Sequence, residues 1–113
     1  MWRDLAWVLA MLQASRKAIE HVRGLNEEQF EASSLPQEAI LRQLTIVGEA
    51  AERVSLELRL KHHGAPWRQI AGFRDVVGHD YSRVDLQEVW RIVQEDLPAL
   101  IAFLEPPMPP EEN

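Results

Sequence analysis

Arg74, His79 and Tyr81 form an R-x4-H-x-Y string in this 113-residue chain, and Asp75 follows the arginine directly. These residue types could cleave a phosphodiester of RNA without a metal. One group must take the proton from the 2′-OH, another must protonate the leaving 5′-oxygen, and a cation must sit over the charge that builds on the phosphoryl oxygens. Histidine, with an ordinary pKa of about 6.5, can fill either proton role. Arginine offers a planar fork of donors that suits phosphoryl oxygens, and its charge does not titrate away. One histidine cannot do both proton jobs at once, so a two-fold dimer would supply the second.

The same residues also fit a structural role, with Arg74 paired to Asp75, Asp80 or a neighbouring helix, His79 ending a helix and Tyr81 packed at a rim. Spacing alone leaves both readings open. On an unbroken helix His79 lies about 140° from Arg74, while Tyr81 lies within about 20° of it. His79 can join the other two only if the helix loosens near Gly78 or a second copy completes the site.

The elements that must position this string are all helical. Trp2, Leu5, Leu9, Leu12, Ile19 and Val22 fall near helical spacing, and Gly24 closes that segment as a C-cap. Asn26 and Gln29 can form a capping box in the loop that follows. Ser34 and Pro36 open a second long helix carrying the stripe Ile40, Leu44, Val47, Ala51, Val54 and Leu58, and fading at His62-His63-Gly64. Ala39, Ile46, Gly48 and Ala50 flank the stripe, and this broad apolar surface suggests a second copy as partner. Pro66 starts a third helix through Ile70, Phe73 and Val77, which Gly78 can bend or end. Asp85 and Glu88 form a second capping box opening a fourth helix, along Leu86, Trp90, Val93, Leu97, Leu100 and Leu104, that Pro98 should kink. No period-two alternation of β-branched or aromatic residues competes. The expected fold is all-α, an antiparallel four-helix up-down bundle over residues 1–105, homodimeric, with residues 106–113 an acidic, Pro-rich, disordered tail.

Composition narrows the function. Without cysteine there is no disulfide framework, no Cys-containing zinc site and no thiol nucleophile. The adjacent His62 and His63 point about 100° apart on a helix and have no evident carboxylate or cysteine companions, so they read as a solvated helix end. No metal or cofactor is expected. Nothing resembles a signal sequence or a bilayer-spanning run, so a cytoplasmic location without membrane contact is expected. The net charge of −6 argues against a general nucleic-acid coat, DNA included. It is unevenly spread, however: residues 1–58 carry −3, residues 59–91 carry +2 and residues 92–113 carry −5. Arg59, Lys61, Arg68, Arg74, Arg83 and Arg91 make the middle third the one basic stretch. Glu49 sits nearly opposite the Ile40–Leu58 stripe, either solvated or part of a dimer cleft. Trp2, Trp7, Trp67 and Trp90 read as core and interface fillers.

The segment Pro66-Trp67-Arg68-Gln69-Ile70-Ala71-Gly72-Phe73-Arg74-Asp75 through Gly78-His79-Asp80-Tyr81, then Val84-Asp85-Leu86, Val89-Trp90 and Asp96-Leu97-Pro98, resembles the HepT-like branch of the HEPN superfamily. Ile46-Val47-Gly48-Glu49-Ala50-Ala51 with Arg53-Val54-Ser55 looks like that family's second helix, and the similarity covers roughly residues 2–104. The resemblance implies the ribonuclease toxin of an MNT/HEPN, type VII-like toxin–antitoxin pair, a homodimer whose motif lies in a cleft at the dimer interface and which can form a larger hetero-oligomer with its antitoxin. Arg74 and His79 match the catalytic pair, with Asp75, at a position where many relatives carry Asn, orienting a proton. Tyr81 matches the tyrosine that a partner nucleotidyltransferase antitoxin adenylylates. Glu49 is tilted toward the cleft by the same resemblance. The competing reading is a non-enzymatic helical dimer that docks, or is modified by, a nucleotidyltransferase.

Overall fold

The computed structural model describes residues 2–77 and 84–105, without the side chains of Trp2, Arg3, Arg74 and Val77. His79, Tyr81, Gly78 and the 106–113 tail therefore lie outside the described residues. Among those described, all regular structure is helical: α1 (Trp2–His21), α2 (Glu27–Glu31), α3 (Ser34–Arg53), α4 (Leu56–Lys61), α5 (Trp67–Ala71), α6 (Phe73–Val77), α7 (Leu86–Arg91), a π-helical turn (Ile92–Asp96) and α8 (Leu97–Leu104). None of these helices is long and apolar enough to cross a membrane.

α1 packs along α3 and against α8, while α5 and α6 lie on α3. The core they share contains Met11, Leu12 and Ala18 of α1, Ile40, Leu44, Val47 and Ala51 of α3, Ile70 and Phe73, and Val89, Ile92, Val93, Leu97, Leu100 and Leu104. Several local expectations hold. Gly24 takes φ +83°, where a side chain would be strained. Asn26 accepts from the Gln29 amide at 2.8 Å and its own amide donates to Gln29 Oε1 at 2.9 Å. Phe30, fully buried, meets the Trp90 ring at 5.5 Å.

Other expectations are corrected. The buried face of α1 is Val8, Met11, Leu12, Ala14, Ser15 and Ala18, with Leu5 and Leu9 only half-buried. Of the small and apolar residues flanking the α3 stripe, Gly48 and Ala50 are buried by the chain itself, while Ala39 and Ile46 are half-buried.

α3 does not run to His62. It ends at Val54, whose ψ of 148° is extended, and Ser55 begins α4 by accepting from the Leu58 amide at 3.1 Å. Two groups hold this break. The Asp4 carboxylate accepts from the Ser55 amide at 2.8 Å and from its hydroxyl at 2.5 Å, and Arg59 donates to the Ala51 carbonyl at 2.5 Å, supplying a partner at the α3 C-terminus. The third helix likewise divides at Gly72, before Gly78 is reached. A Cβ there would stand 3.3 Å and 3.4 Å from the Gln69 and Arg68 carbonyl oxygens, so the close step between α5 and α6 suits glycine. The fourth helix departs from α geometry over Ile92–Asp96, just before Pro98. Proline has no N–H to donate and its ring crowds the carbonyl four residues back, and the wider π turn accommodates both.

Candidate ribonuclease site

Phe73 anchors α6: its side chain is 1% exposed and packs in the core beside Ile70, while Val76 is half-buried. The Asp75 amide bonds the Gly72 carbonyl at 2.9 Å, so Gly72 fixes the direction in which α6 leaves α5. Asp75 is exposed. Arg74, between these two, lies on a helix held against α3 from one side and continued from α5 on the other. The structure thus places Arg74 and Asp75 on one short helix, and the rest of the string, His79 and Tyr81, falls beyond the described residues. Past them, Asp85 restarts the helix by accepting from the Gln87 and Glu88 amides at 3.0 and 3.2 Å. The reciprocal half of the expected capping box is replaced: Glu88 turns to Arg91 instead, at 2.6 Å.

Two arginines of the basic middle are engaged inside the fold. Arg91 bridges Glu88 and Asp96, the latter at 2.9 Å and 3.0 Å, and Gln69 donates to the same Asp96 at 3.1 Å. The hydrogen bond from Arg91 holds the Glu88 carboxyl below its ordinary pKa, and the Arg91 guanidinium is raised in turn, first by Glu88 and then by Asp96. Arg59 is committed to the Ala51 carbonyl. Lys61 and Arg68 remain exposed. Arg91 is thereby neutralised by two carboxylates, while Arg59 keeps its charge with one of its donors held at a carbonyl. His62 ends α4, its carbonyl accepting from the Trp67 indole at 2.9 Å. Among the described residues no three His, Asp or Glu side chains gather as a metal site would require.

Glu49 is half-exposed and 3.8 Å from Arg53, whose guanidinium lies 5.3 Å from the Trp7 ring centroid. It therefore belongs to an ion-pair and cation–π group on the edge between α1 and α3. A cleft absent from the sequence reading opens between α5 and α8, lined by Pro66, Gln69, Ile70, Phe73, Ala99, Leu100 and Phe103 with Asp96 at one end. Gln69 and Asp96 are 27 positions apart, so no local pattern could have indicated it.

An all-helical domain that carries an Arg-x4-His-x-Tyr string from a short core-anchored helix has close relatives. Residues 11–106 match the family model "Ribonuclease HepT-like", and the chain belongs to that family. It is 36% identical over 90 residues, 80% of each chain, to the Caldanaerobacter subterraneus protein named "Putative RNase TTE0752". It is also 36% identical over 81 residues, 72% of this chain and 74% of the other, to "Probable ribonuclease HepT" of Thermococcus cleftensis. No solved structure gives a significant match.

Proposed function

We propose that the chain is an endoribonuclease, the toxin of a toxin–antitoxin pair, that cuts RNA without a metal through Arg74 and His79. The observation that carries this reading is the family match across residues 11–106 together with the Arg74–His79–Tyr81 string inside it. In the reaction the 2′-oxygen loses its proton and attacks phosphorus, the bond to the 5′-oxygen breaks, and that oxygen takes up a proton, leaving a cyclic phosphate and a free 5′-OH. Arg74 binds the scissile phosphate and stabilises the charge on its oxygens, His79 moves a proton, and Asp75 orients it. The working unit is a homodimer of antiparallel four-helix bundles formed by residues 1–105, with two His79 side chains across a shared cleft to which Glu49 contributes, acting in the cytoplasm.

Regulation follows from charge and size. On an unbroken helix, adenylylation of Tyr81 by a nucleotidyltransferase antitoxin puts a phosphate on the same face as Arg74, where it takes the cation meant for the substrate and fills the cleft. The test is expression of the chain alone, as His79→Ala, and with its chromosomal neighbour, which this reading expects to be a nucleotidyltransferase. Growth arrest and RNA cleavage by the unmodified chain, lost in His79→Ala, are expected. Cleavage that survives His79→Ala removes the catalytic assignment of His79, and absence of cleavage by the unmodified chain leaves the non-enzymatic docking reading. Intact mass after co-expression should show AMP on the wild-type chain and none on Tyr81→Phe.

A further inference from the structure

The cleft between α5 and α8 has a direction. Gly64 meets Phe103 so closely that a Cβ on the glycine would stand 2.9 Å from the ring, and Gln69 meets Asp96 at 3.1 Å. As residue numbers rise along α5 they fall along α8, so the two helices run antiparallel across the cleft. One end is at Pro66 and Phe103, the other at Gln69, Phe73 and Asp96. Between them the walls are apolar: Ile70, Ala99, Leu100 and the Phe103 ring, which is 37% exposed.

The chain leaves α8 at Glu105, two residues beyond Phe103, and continues Pro-Pro-Met-Pro-Pro-Glu-Glu-Asn. This segment therefore starts at the Phe103 end of the cleft. From residue 96 to residue 103 the α8 wall is about 10 Å long at 1.5 Å per residue. Pro106–Pro110 in extended polyproline form spans about 15 Å at 3.1 Å per residue, so after the chain reverses it still covers the wall. Composition agrees with position. The four prolines and Met108 carry no charge and suit an apolar, aromatic-walled groove, the pairing that proline-rich segments use elsewhere. Glu111 and Glu112 come only after this run, past the far end of the cleft, where Asp96 is already held by Arg91 and where α6 with Arg74 begins.

We infer that residues 106–110 fold back and occupy the α5–α8 cleft, with Met108 against Phe103, Ala99 and Ile70. The docked segment carries two carboxylates to the helix bearing Arg74, where they oppose an anionic substrate. That last consequence rests on the ribonuclease reading; the docking does not.

The chain's lack of cysteine makes a disulfide test clean. In the full chain, Ala99→Cys paired with Pro110→Cys places one thiol on the exposed α8 wall and one at the end of the proline run; Arg42→Cys, on the exposed side of α3, paired with Pro110→Cys is the control. Under mild oxidation the first pair should close at least tenfold faster than the control, at a rate independent of protein concentration, and Met108→Asp added to it should remove most of that advantage. The thermal midpoint, read beside the closure rate, shows whether Met108→Asp acts on docking or on the fold. Equal rates for the two pairs, or closure that rises with concentration and yields linked dimers, overturns the inference, the second outcome assigning the cleft to another copy. None of these readouts uses RNA cleavage, so failure of the docking and failure of the ribonuclease reading are told apart.

Discussion

Asp4, on the first turn of α1, accepts both the amide and the hydroxyl hydrogen of Ser55, 51 positions away, at 2.8 and 2.5 Å. The carboxylate is 7% exposed, and Ser55 also receives the Leu58 amide, so one side-chain pair ends α3, starts α4 and fastens both to α1. Asp4→Ala leaves two donors at this junction without their partner. A loss of about 2–3 kcal/mol is expected, the range for charge-assisted hydrogen bonds in partly buried places, read by urea unfolding. Ser55→Ala should cost nearly as much, and the double variant little more than either single one, because both remove the same interaction. Additive losses would show that the pair does not act as a unit.

Acid should act at the same junction. The Ser55 side-chain hydrogen bond lowers the Asp4 pKa against an opposing push from burial, and Arg91 lowers Glu88 in the same way. A carboxyl whose folded pKa lies below its unfolded one contributes stability that is complete above the unfolded value and is lost as pH falls through the folded value. Stability should therefore be flat near neutrality from these groups and decline below about pH 4, where ordinary carboxylates begin to protonate. In Asp4→Asn the decline should be shallower than in the unmodified chain, measured as the denaturant midpoint against pH.

Ser15 presents the opposite case, a fully buried hydroxyl oxygen without a hydrogen-bond partner among the described residues. It lies on the face of α1 where small residues allow close packing. Ser15→Ala keeps the size small and removes an unsatisfied polar atom, whose burial costs about 1–3 kcal/mol when no partner is found. The variant should be equal in stability or better by up to about 1 kcal/mol. A clear loss in thermal midpoint would mean that the hydroxyl has a role that packing does not reveal.

Gly64 packs under the tip of the Phe103 ring. A methyl group there meets the ring at 2.9 Å, and because the ring is 37% exposed and can turn aside, Gly64→Ala should destabilise by about 1 kcal/mol or less, below the range for overpacking a closed core. Adding Phe103→Leu removes the obstructing ring edge, and the double variant should recover most of the loss. Recovery reads the contact itself; an unrelieved loss would point to the loop backbone.

How much of this was visible in the residue order depends on the distance over which each cause acts. The Gly24 cap, the Asn26–Gln29 box and the α3 stripe arise within a few residues of one another and were legible. The break at Ser55 was not, because its cause is Asp4 at the other end of the sequence. The division at Gly72 was not legible either: the sequence pattern reads as one helix from Pro66 to Gly78, and the step at Gly72 depends on how α5 and α6 pack on α3. For the candidate site, the Arg74–Tyr81 string was legible as residue types in order. What the count of basic residues could not reveal is that Arg59 and Arg91 serve the fold, one at a carbonyl and the other between two carboxylates.

Under the ribonuclease reading, Asp75 is a charge that bears on substrate binding. Its side chain is exposed, while its hydrogen bond to Gly72 comes from the backbone, so Asp75→Asn should leave the fold unchanged. Under the ribonuclease reading the acid next to Arg74 has two effects that pull apart. As a negative charge one residue from Arg74 it repels an incoming phosphate by up to about 1 kcal/mol in water, so its removal should tighten RNA binding by up to about fivefold at low salt and by less as salt screens the charge. As the group that orients a proton, its removal should lower kcat. The expected result for Asp75→Asn is therefore a lower KM together with a lower kcat. A lower KM with kcat unchanged would keep Asp75 as a tuning charge only, and strike it from the catalytic group.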